Sequence, residues 1–348
     1  MTGQPNIYAG VAGYFGRSDP QGLKGVFRRA AGGGDWEHVL TEPETFTVNV
    51  SPRDPSVVFA GTGDGVYRSI DAGKTFKRTN FPDNVQIWSI LFDPANPKLM
   101  LAGGSPVSVY RSEDAGESWK RMPDPGMPDR AKMPFACRVM RMAASPRHAG
   151  EIFAALEVNG VMRSTDGGES WKDCSTDLIR LAQQPHLQSQ IVSDTRNEGM
   201  LDGHAICTSA ADPNAVIVAV RMGLFRSADE GNTWQDMEVG RFSPVTYGRD
   251  IKVSPQDPRT MYAALSVAAS SKDGALYRST DVGQTWQRFD KVQVHGTIMS
   301  VALHQSDARQ VWLAARYGEV FGTQDGGETW QDAPLPSGVK DIYSLACG

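Results

Sequence analysis

Short apolar strands recur along the whole chain at nearly regular intervals. Each consists of a small residue or glutamate followed by two apolar residues and, in most copies, an arginine. Copies occur at 25–28, 65–68, 108–111, 160–163, 223–226, 275–278 and 319–322. Evenly spaced short strands, separated by turns rich in glycine, proline and aspartate, predict an all-β repeat protein.

An octapeptide with the pattern Ser/Thr-x-Asp-x-Gly-x-Ser/Thr-Trp/Phe follows six of these strands. The six copies are 69–76, 112–119, 164–171, 227–234, 279–286 and 323–330. A seventh copy, 29–36, keeps the glycines and the tryptophan but has Ala31 in place of the aspartate. The pattern predicts a hairpin turn in which the aspartate accepts backbone N–H groups, the glycine supplies a positive φ and the aromatic packs between neighbouring units. We therefore expect Asp71 and its five counterparts to be structural rather than catalytic.

Each full repeat contains four predicted strands. In the third repeat these are 86–92, 98–103, 108–113 and 117–122. Successive octapeptide aspartates lie 43, 52, 63, 52 and 44 residues apart, which is typical of propeller blades with insertions. The chain opens on a second-strand segment, 7–13, and closes on an inner-strand segment, 341–348. We predict one all-β domain over residues 1–348, a seven-bladed β-propeller of four-stranded blades in which the C-terminal strand joins the N-terminal blade and removes the open edges.

The octapeptide resembles the Asp-box, or BNR-repeat, motif, and the match covers essentially the whole chain. The resemblance implies the propeller fold but does not select a function, because the family includes sialidases, xyloglucan-cleaving glycosidases, the sortilin ectodomain and a photosystem II assembly factor. In this respect the chain is similar to uncharacterised bacterial BNR-repeat proteins described as glycosyl hydrolase-like or sialidase-like.

The chain departs from the better-known members of that family. Sialidases resemble six-bladed propellers with an arginine triad, a Tyr/Glu nucleophile pair and an aspartic acid, whereas this chain has seven repeats and no FRIP-type segment before the first octapeptide. Xyloglucanases of this kind look like tandem propellers with a cleft between them, which one propeller cannot form. The disulfide-rich modules of sortilin-like chains are absent.

One mouth of the central channel is the expected ligand site. In a propeller, the loops from an outer strand to the next inner strand share a face with the loops from the second strand to the third. The repeat register assigns to this mouth the candidate binding residues Arg138, Arg141, Arg221, Arg249, Arg316, His295 and Trp88. Converging guanidinium groups suit a carboxylate, sulfate or phosphate. Alternatively, these arginines pair with acidic residues in a solvated rim: Glu157, Asp202, Asp250 and Asp341.

Three titratable residues at the same mouth are candidates for catalysis: Glu157, Asp250 and His204. Neighbouring arginines are expected to lower the pKa of the carboxyl groups, which favours a base or electrostatic role over an acid role. No GxSxG elbow is present for a serine nucleophile.

Two insertions lie between an outer strand and the next inner strand, on the ligand-bearing face. The first, 122–137, is rich in proline and methionine. The second, 175–203, contains a stretch that predicts a helix with Thr176 or Asp177 as N-cap and Pro185 ending it. Long loops in compact domains often act as lids or binding segments, and a stabilising cap is the alternative.

Composition and charge limit the classes of partner that the protein is expected to bind. The 348-residue chain carries 35 lysines and arginines against 40 acidic residues, a formal charge of −5, which argues against nucleic acid as the main partner. No apolar run is long enough for a bilayer, and residues 1–6 contain no signal-like core, so we expect a cytoplasmic protein without membrane contact. The four cysteines, Cys137, Cys174, Cys207 and Cys347, form no CxxC pair and are predicted to be buried thiols.

No bound metal or other cofactor is expected. The sequence has no HxH or HExxH spacing. A scattered site assembled across blades is the remaining alternative, and its candidate histidines are His186, His204 and His295.

Three functions remain open. The main hypothesis is a hydrolase or lyase that binds a small anionic substrate (a carboxylate, sulfate or sugar acid) among the arginines and histidines of the mouth. The first alternative is a non-catalytic propeller that binds a peptide or protein partner across its face. The second is a glycosidase, which requires two carboxyl groups roughly 5–9.5 Å apart across a cleft. The sequence leaves the oligomeric state open.

Overall fold

Seven four-stranded antiparallel sheets make up the protein. The structure is a computed structural model, and it describes residues 5–13 and 22–348. Each sheet is one blade, so the predicted all-β propeller of seven four-stranded blades is confirmed. Blade I contains β28 (Ile342–Cys347), β1 (Asn6–Val11), β2 (Gly25–Ala30) and β3 (Glu37–Leu40), from the channel outward.

The other six blades each use four consecutive strands. Blade II contains β4 (Thr45–Val50), β5 (Val58–Thr62), β6 (Gly65–Ser69) and β7 (Lys77–Arg78). Blade III contains β8 (Gln86–Phe92), β9 (Met100–Ser105), β10 (Ser108–Ser112) and β11 (Lys120–Arg121). Blade IV contains β12 (Val139–Ala144), β13 (Ile152–Leu156), β14 (Gly160–Ser164) and β15 (Lys172–Asp173). Blade V contains β16 (Gly203–Ser209), β17 (Asp212–Val220), β18 (Gly223–Ser227) and β19 (Gln235–Asp236). Blade VI contains β20 (Tyr247–Val253), β21 (Met261–Ser266), β22 (Gly274–Ser279) and β23 (Gln287–Arg288). Blade VII contains β24 (Ile298–Leu303), β25 (Val311–Ala315), β26 (Val320–Thr323) and β27 (Gln331–Asp332).

The C-terminal strand closes the ring. Strand β28 pairs antiparallel with β1, with Ile7 opposite Cys347 and Ala9 opposite Leu345. The pairing extends to the terminal residue, because Asn6 N donates to Gly348 O at 2.7 Å. Strand β28 also packs between the inner strands β24 and β4. The predicted closure of the N-terminal blade by the C-terminal strand is therefore confirmed.

The octapeptide forms the turn between the third and fourth strands of a blade. In blade II, Asp71 Oδ1 accepts the backbone N–H groups of Lys74 and Thr75 at 3.0 Å, and Asp71 Oδ2 accepts the Thr75 hydroxyl at 2.6 Å. Ser69 Oγ accepts the Gly73 N–H at 2.9 Å and donates to Asp71 Oδ1 at 2.7 Å. These bonds, with that of the Thr75 hydroxyl first, lower the pKa of Asp71 to about 2. The Asp71 carboxylate therefore bonds to groups of its own turn, as predicted for a structural residue.

Two physical constraints favour glycine at the fifth position of the octapeptide. Gly73 has φ of 72°, as predicted, and a Cβ there would lie 2.3 Å from the Tyr8 ring of the neighbouring blade. The residue before the glycine is also left-handed, with φ of 58° at Ala72, which the sequence pattern did not predict.

The octapeptide aromatics pack between blades, as predicted. Trp119 of blade III lies in a buried cluster with Phe59 of blade II and Tyr110 of its own blade. Trp234 of blade V is 2% exposed and donates from Nε1 to Cys174 O at 2.9 Å. A buried aromatic side chain removes roughly 150–250 Å² from water, so these contacts contribute strongly to blade stacking.

Side chains on the inner strands also bond to the backbone of the next inner strand. The donor–acceptor pairs are Ser89 Oγ–Val139 O, Thr208 Oγ1–Ala144 O, Val301 N–Asp250 Oδ2, Leu345 N–Ser300 Oγ and Val48 N–Ser344 Oγ. The bonds bridge five of the seven junctions between blades. They hold the wall of the channel in register.

The second insertion is a folded cap with short helices. Helix α1 covers Thr176–Leu181, a 3₁₀ turn covers Pro185–Leu187, and α2 covers Glu198–Leu201. The predicted N-cap is wrong, since Ser175 precedes the helix and Asp177 instead accepts the backbone N–H of Trp234 at 2.7 Å. Another 3₁₀ turn, Val239–Arg241, follows β19. In the described ranges, no helix has the length and apolar character that a membrane span requires.

The cap is organised around the carboxylate of Glu198, which is fully buried. Glu198 Oε2 accepts the backbone N–H groups of Ile191, Val192 and Ser193 and the Ser193 hydroxyl, at 2.8–3.0 Å. Its Oε1 accepts from Arg221 Nη1 at 2.9 Å. The insertion is therefore anchored to blade V by an ion pair.

The cysteines are free thiols. Cys174, Cys207 and Cys347 are buried, as predicted, while Cys137 is half-buried. Burial raises the pKa of Cys207 to about 12, so this thiol stays protonated.

Candidate active site at the channel mouth

The predicted mouth is filled by aromatic side chains from the starts of the inner strands. Phe46 stacks on Trp88 with ring centroids 3.9 Å apart, and Tyr343 meets Trp88 edge-on at 5.5 Å. Phe46 and Trp88 are each 1% exposed. Trp88, predicted to bind substrate, therefore belongs to a packed aromatic cluster of Phe46, Trp88 and Tyr343 that supports the floor of the mouth.

Arg138 and Glu157 form an ion pair above this cluster. The guanidinium of Arg138 lies over the Trp88 ring, 4.1 Å from its centroid, and 4.7 Å from the ring of Phe135 in the first insertion. The Arg138 side chain is buried, whereas the Glu157 side chain keeps 19% of its surface exposed. The two aromatic rings thus hold the Arg138 guanidinium in place, and Glu157 is the member of the pair that is partly exposed to solvent.

A second buried network adjoins the first. Asp202 Oδ2 accepts from Arg221 Nη2 at 2.8 Å and lies 3.3 Å from His204 Nε2. The Tyr247 hydroxyl is 3.2 Å from the same His204 nitrogen, and His204 Nδ1 lies 2.7 Å from Gly248 O. The Gly248 carbonyl can only accept, so Nδ1 carries a proton and Nε2 is directed at Asp202 and Tyr247.

The two carboxyl groups have opposite electrostatic environments. Burial raises the pKa of Glu157, Arg138 opposes the rise, and the nearby Asp202 carboxylate adds to it. Burial also acts to raise the pKa of Asp202, but His204 and Arg221 outweigh it and hold that pKa well below its usual range. The expectation that neighbouring arginines lower the pKa of Glu157 is wrong, because burial dominates there.

Arg249, a predicted binding arginine of the mouth, has no acidic partner of its own among the described residues. It is 9% exposed, and among the residues that the structure describes its side chain forms no hydrogen bond or ion pair. Its charge acts on Glu157, Tyr247 and Tyr343, which places it within the same cluster. A buried guanidinium with unused donors is suited to bind an anionic ligand.

Asp250 and Arg141 lie deeper along the inner strands. Asp250 Oδ1 accepts Ile251 N–H at 3.0 Å and its Oδ2 accepts Val301 N–H at 2.8 Å, so the carboxylate braces two blades. The Arg141 guanidinium donates to the carbonyls of Trp88 and Tyr343 beneath the aromatic cluster. Neither side chain is brought beside Glu157 and His204 as a catalytic partner.

Arg316 and His295 lie at the rim of the mouth. Arg316 pairs with the fully buried Asp341 and donates to Ala269 O at 2.6 Å. His295 is 73% exposed and pairs with Glu319 at 3.2 Å. The alternative expectation of arginines paired with acidic residues therefore describes Arg138, Arg221 and Arg316 but not Arg249.

The sequence placed Asp202 at the mouth only as a rim partner of the arginines, not in a network with His204, and did not single out Tyr247. Asp202 precedes His204 by two residues and Tyr247 begins β20, so both occupy register positions equivalent to those that were chosen. Their position at the start of an inner strand is the signal that could have found them. Glu198 carried no such signal, since it lies inside the second insertion.

A possible cation cluster lies on the opposite face. His148, Glu151 and Glu230 place one ligand atom each within 4.8 Å of one another. The guanidinium of Arg163 already pairs with both carboxylates, so these residues form an ion-pair network in the structure.

Comparison with known proteins supports the propeller and adds a sequence relationship. No family model matches the chain. A xyloglucanase from Paenibacillus sp. is 25% identical over 233 residues, which cover 56% of this chain and 21% of that protein. The chain thus spans about a fifth of the length of this curated relative. By fold and sequence, it is a seven-bladed β-propeller with similarity to xyloglucanases.

Two solved structures show the same fold. The GH74 xyloglucanase from Xanthomonas campestris superposes with a TM-score of 0.62 at 16% identity, covering 83% of this chain and 45% of that one. YCF48 bound to D1 peptide superposes with a TM-score of 0.54 at 16% identity, covering 83% and 81%. At these identities the likeness concerns the fold alone.

Proposed function

We propose that this chain is a hydrolase of the glycosidase type, built on an Asp-box propeller, that acts on a small anionic glycoside at the channel mouth. The observation that carries the proposal is the opposite tuning of two neighbouring carboxyl groups. Burial favours the protonated form of Glu157, while Arg221 and His204 favour the ionised form of Asp202. Carboxyl pairs whose pKa values are pushed apart are a recurring arrangement in acid–base catalysis.

The roles follow from exposure and charge. Glu157, the more exposed carboxyl, donates a proton to the leaving-group oxygen as the glycosidic C–O bond breaks. A water molecule adds to the anomeric carbon and releases its proton to solvent, from which Glu157 is reprotonated. Asp202 stays ionised and orients His204, whose Nδ1 is fixed by the Gly248 carbonyl. Arg249 binds the anionic group of the substrate, because its guanidinium is not used by an acidic partner in the described part of the chain. Similarity to xyloglucanases supports a carbohydrate substrate.

A chromogenic glycoside panel tests this function. Purified protein is assayed on nitrophenyl glycosides and nitrophenyl glycuronides from pH 4 to 8. We expect turnover of at least one glycuronide and a loss of roughly 10²–10⁴-fold in Glu157→Gln, the usual contribution of a general acid. Arg249→Ala is expected to raise KM for the glycuronide more than for the neutral glycoside.

The matched control is Glu328→Gln, which alters an exposed glutamate paired with Lys291. Glu328 belongs to an octapeptide turn, on the face opposite the mouth. The variant should keep full activity. Absence of turnover on the whole panel, or equal turnover by Glu157→Gln and wild type, would contradict the proposed function.

A second candidate function, binding of a protein segment, is favoured by a groove in the first insertion. This groove of about 450 Å³ is lined by Met127, Met133 and Phe135, together with Pro106 and Val107 of blade III. YCF48, whose structure aligns with most of this chain and over most of its own length, is bound to D1 peptide. If the groove binds a protein segment, Met133→Glu should lose a partner that co-purifies with wild type, because the substitution places a charge in the groove. Glu157→Gln, which changes the mouth and not the groove, should keep this partner.

A further inference from the structure

A cavity lies in the central channel on the side away from the mouth. It measures about 340 Å³ and is lined by the later residues of the inner strands, such as Asn49, Ser300 and Ser344. Its rim contains Pro52, Pro255 and Gln305 of the loops between first and second strands. These loops share a face with the octapeptide turns, so the cavity opens there.

Arg141, a half-buried residue of β12, contributes a positive charge to the lining of this cavity. Its Nη1 donates to Met140 O at 2.7 Å and Trp88 O at 3.1 Å, and its Nη2 donates to Tyr343 O at 3.2 Å. Among the described residues, no acidic group forms an ion pair with it. A guanidinium has five N–H donors, so two remain for a ligand. Only neutral carbonyls contact the Arg141 guanidinium directly, while the Asp250 carboxylate favours its charged form from further away.

Lys252 adds a second positive charge to the same wall. Its Nζ lies 3.8 Å from Asp250 Oδ1, and that carboxylate already accepts two backbone N–H groups. The Lys252 side chain is 38% exposed, toward the channel that it lines. The lining residues in the described ranges carry two cations, Arg141 and Lys252, and no carboxylate. The thiol of Cys347 stays neutral, since burial raises its pKa to about 12.

The wall also offers neutral hydrogen bonds. Ser300 Oγ accepts the Leu345 N–H at 3.0 Å and keeps its own hydrogen free to donate. The volume corresponds to about ten water molecules, which exceeds the size of a halide or of one phosphate. A ligand that fills the cavity therefore has several heavy atoms.

We propose that the central channel is a binding site for a small oxyanion with at least two negative charges, entered from the octapeptide face and held by Arg141, Lys252 and Ser300. Burial lowers the pKa of Arg141, the Asp250 carboxylate partly opposes this effect and the Arg249 cation adds to it, so an anion beside Arg141 would stabilise its charged form further. The site is distinct from the mouth because the cavity lining includes none of Glu157, Asp202 and His204. It does not depend on the proposed hydrolase function.

Calorimetric titration at low ionic strength tests the proposal, with inorganic phosphate, succinate and citrate as the probes. We expect saturable binding of citrate or succinate in wild type, with phosphate weaker, and a rise in Tm that follows ligand concentration. Lys252→Gln is expected to weaken binding about tenfold or more, the usual effect of losing a charged hydrogen bond. This variant keeps the fold because its side chain is partly exposed, whereas Arg141→Gln also removes carbonyl contacts across the channel.

Lys291→Gln, which changes an exposed lysine on the surface, is the matched control and should bind like wild type. Unchanged affinity in Lys252→Gln overturns the proposal. Binding that is lost in Arg249→Ala but kept in Lys252→Gln places the anion at the mouth and also overturns it. No binding of any of the three probes at millimolar concentration has the same consequence. Retained anion binding in Glu157→Gln would support a site independent of the hydrolase function.

Discussion

Glu198→Gln removes one charge from the centre of the second insertion while preserving side-chain size. Four donors from residues 191–193 point at one carboxylate oxygen, and Arg221 points at the other. A glutamine offers one acceptor oxygen and one NH₂ group. Its NH₂ group must therefore face other donors, either the backbone N–H groups or the guanidinium. We expect the cap formed by the insertion to lose much of its anchor.

The lowered pKa of Glu198 gives the size of the expected loss of stability in Glu198→Gln. Burial acts to raise this pKa, but the hydrogen bonds from Ile191, Ser193 and Val192 lower it to about 2, from an ordinary value of 4.5. One pKa unit corresponds to about 1.4 kcal/mol, so ionised Glu198 contributes about 3 kcal/mol to folding at neutral pH. Because the folded-state pKa lies below the unfolded one, this stabilisation is present above about pH 4.5 and is lost as the pH falls toward 2.

Urea denaturation measures this contribution. At pH 7 we expect the free energy of unfolding of Glu198→Gln to be lower than that of wild type by about 3 kcal/mol, and at pH 3 the difference should fall below about half of that value. The control Glu328→Gln, at a side chain that is 77% exposed, should change the free energy by less than about 0.5 kcal/mol. Equal unfolding midpoints at pH 7, or a difference that stays constant in acid, would refute the reasoning.

Three further predictions concern the blades. Asp250→Ala leaves the buried Val301 N–H unsatisfied, so calorimetry should show a loss of about 1–3 kcal/mol; a wild-type Tm would contradict the bracing role. Asp71→Ala frees turn N–H groups that water can reach, so denaturation should show a smaller loss of about 1 kcal/mol, and a larger loss than in Asp250→Ala would be inconsistent with this ranking. Burial raises the pKa of Tyr8 and Tyr247 to about 12, so ultraviolet titration should show at least two tyrosines still protonated at pH 11, and one fewer in Tyr247→Phe; an unchanged number in that variant would contradict the burial of Tyr247.

The fold was predictable because its determinants are local and repeated. Each octapeptide specifies its own turn through bonds within a few residues, as Asp71 does with Thr75. Six copies at blade-like spacing then define the ring, and the strand type at each end of the chain defines its closure. Nothing in these inferences required knowledge of which blade contacts which side chain.

The position of the candidate residues along the inner strands was predictable, but the pairing of their side chains was not. The register of the inner strands correctly selected Arg138, Glu157 and His204 for one end of the channel, since position along a strand follows from the repeat. Partner choice depends on the radial packing of neighbouring blades, which the repeat does not encode. For this reason Asp250 was assigned to catalysis although its oxygens bind the backbone of the next blade, and the aromatic cluster around Trp88 was not foreseen.

Titration of the glutamate side-chain carboxyl carbons by ¹³C NMR is the most direct test of the proposed acid–base pair. The assignment uses Glu157→Gln, in which one signal disappears. We predict that this signal titrates above the ordinary value of 4.5 and moves further up in Arg138→Leu, which removes the cation that opposes the rise. If the signal assigned to Glu157 titrates at or below 4.5, the carboxyl group does not hold its proton, and the assignment of Glu157 as the acid of this site would be contradicted.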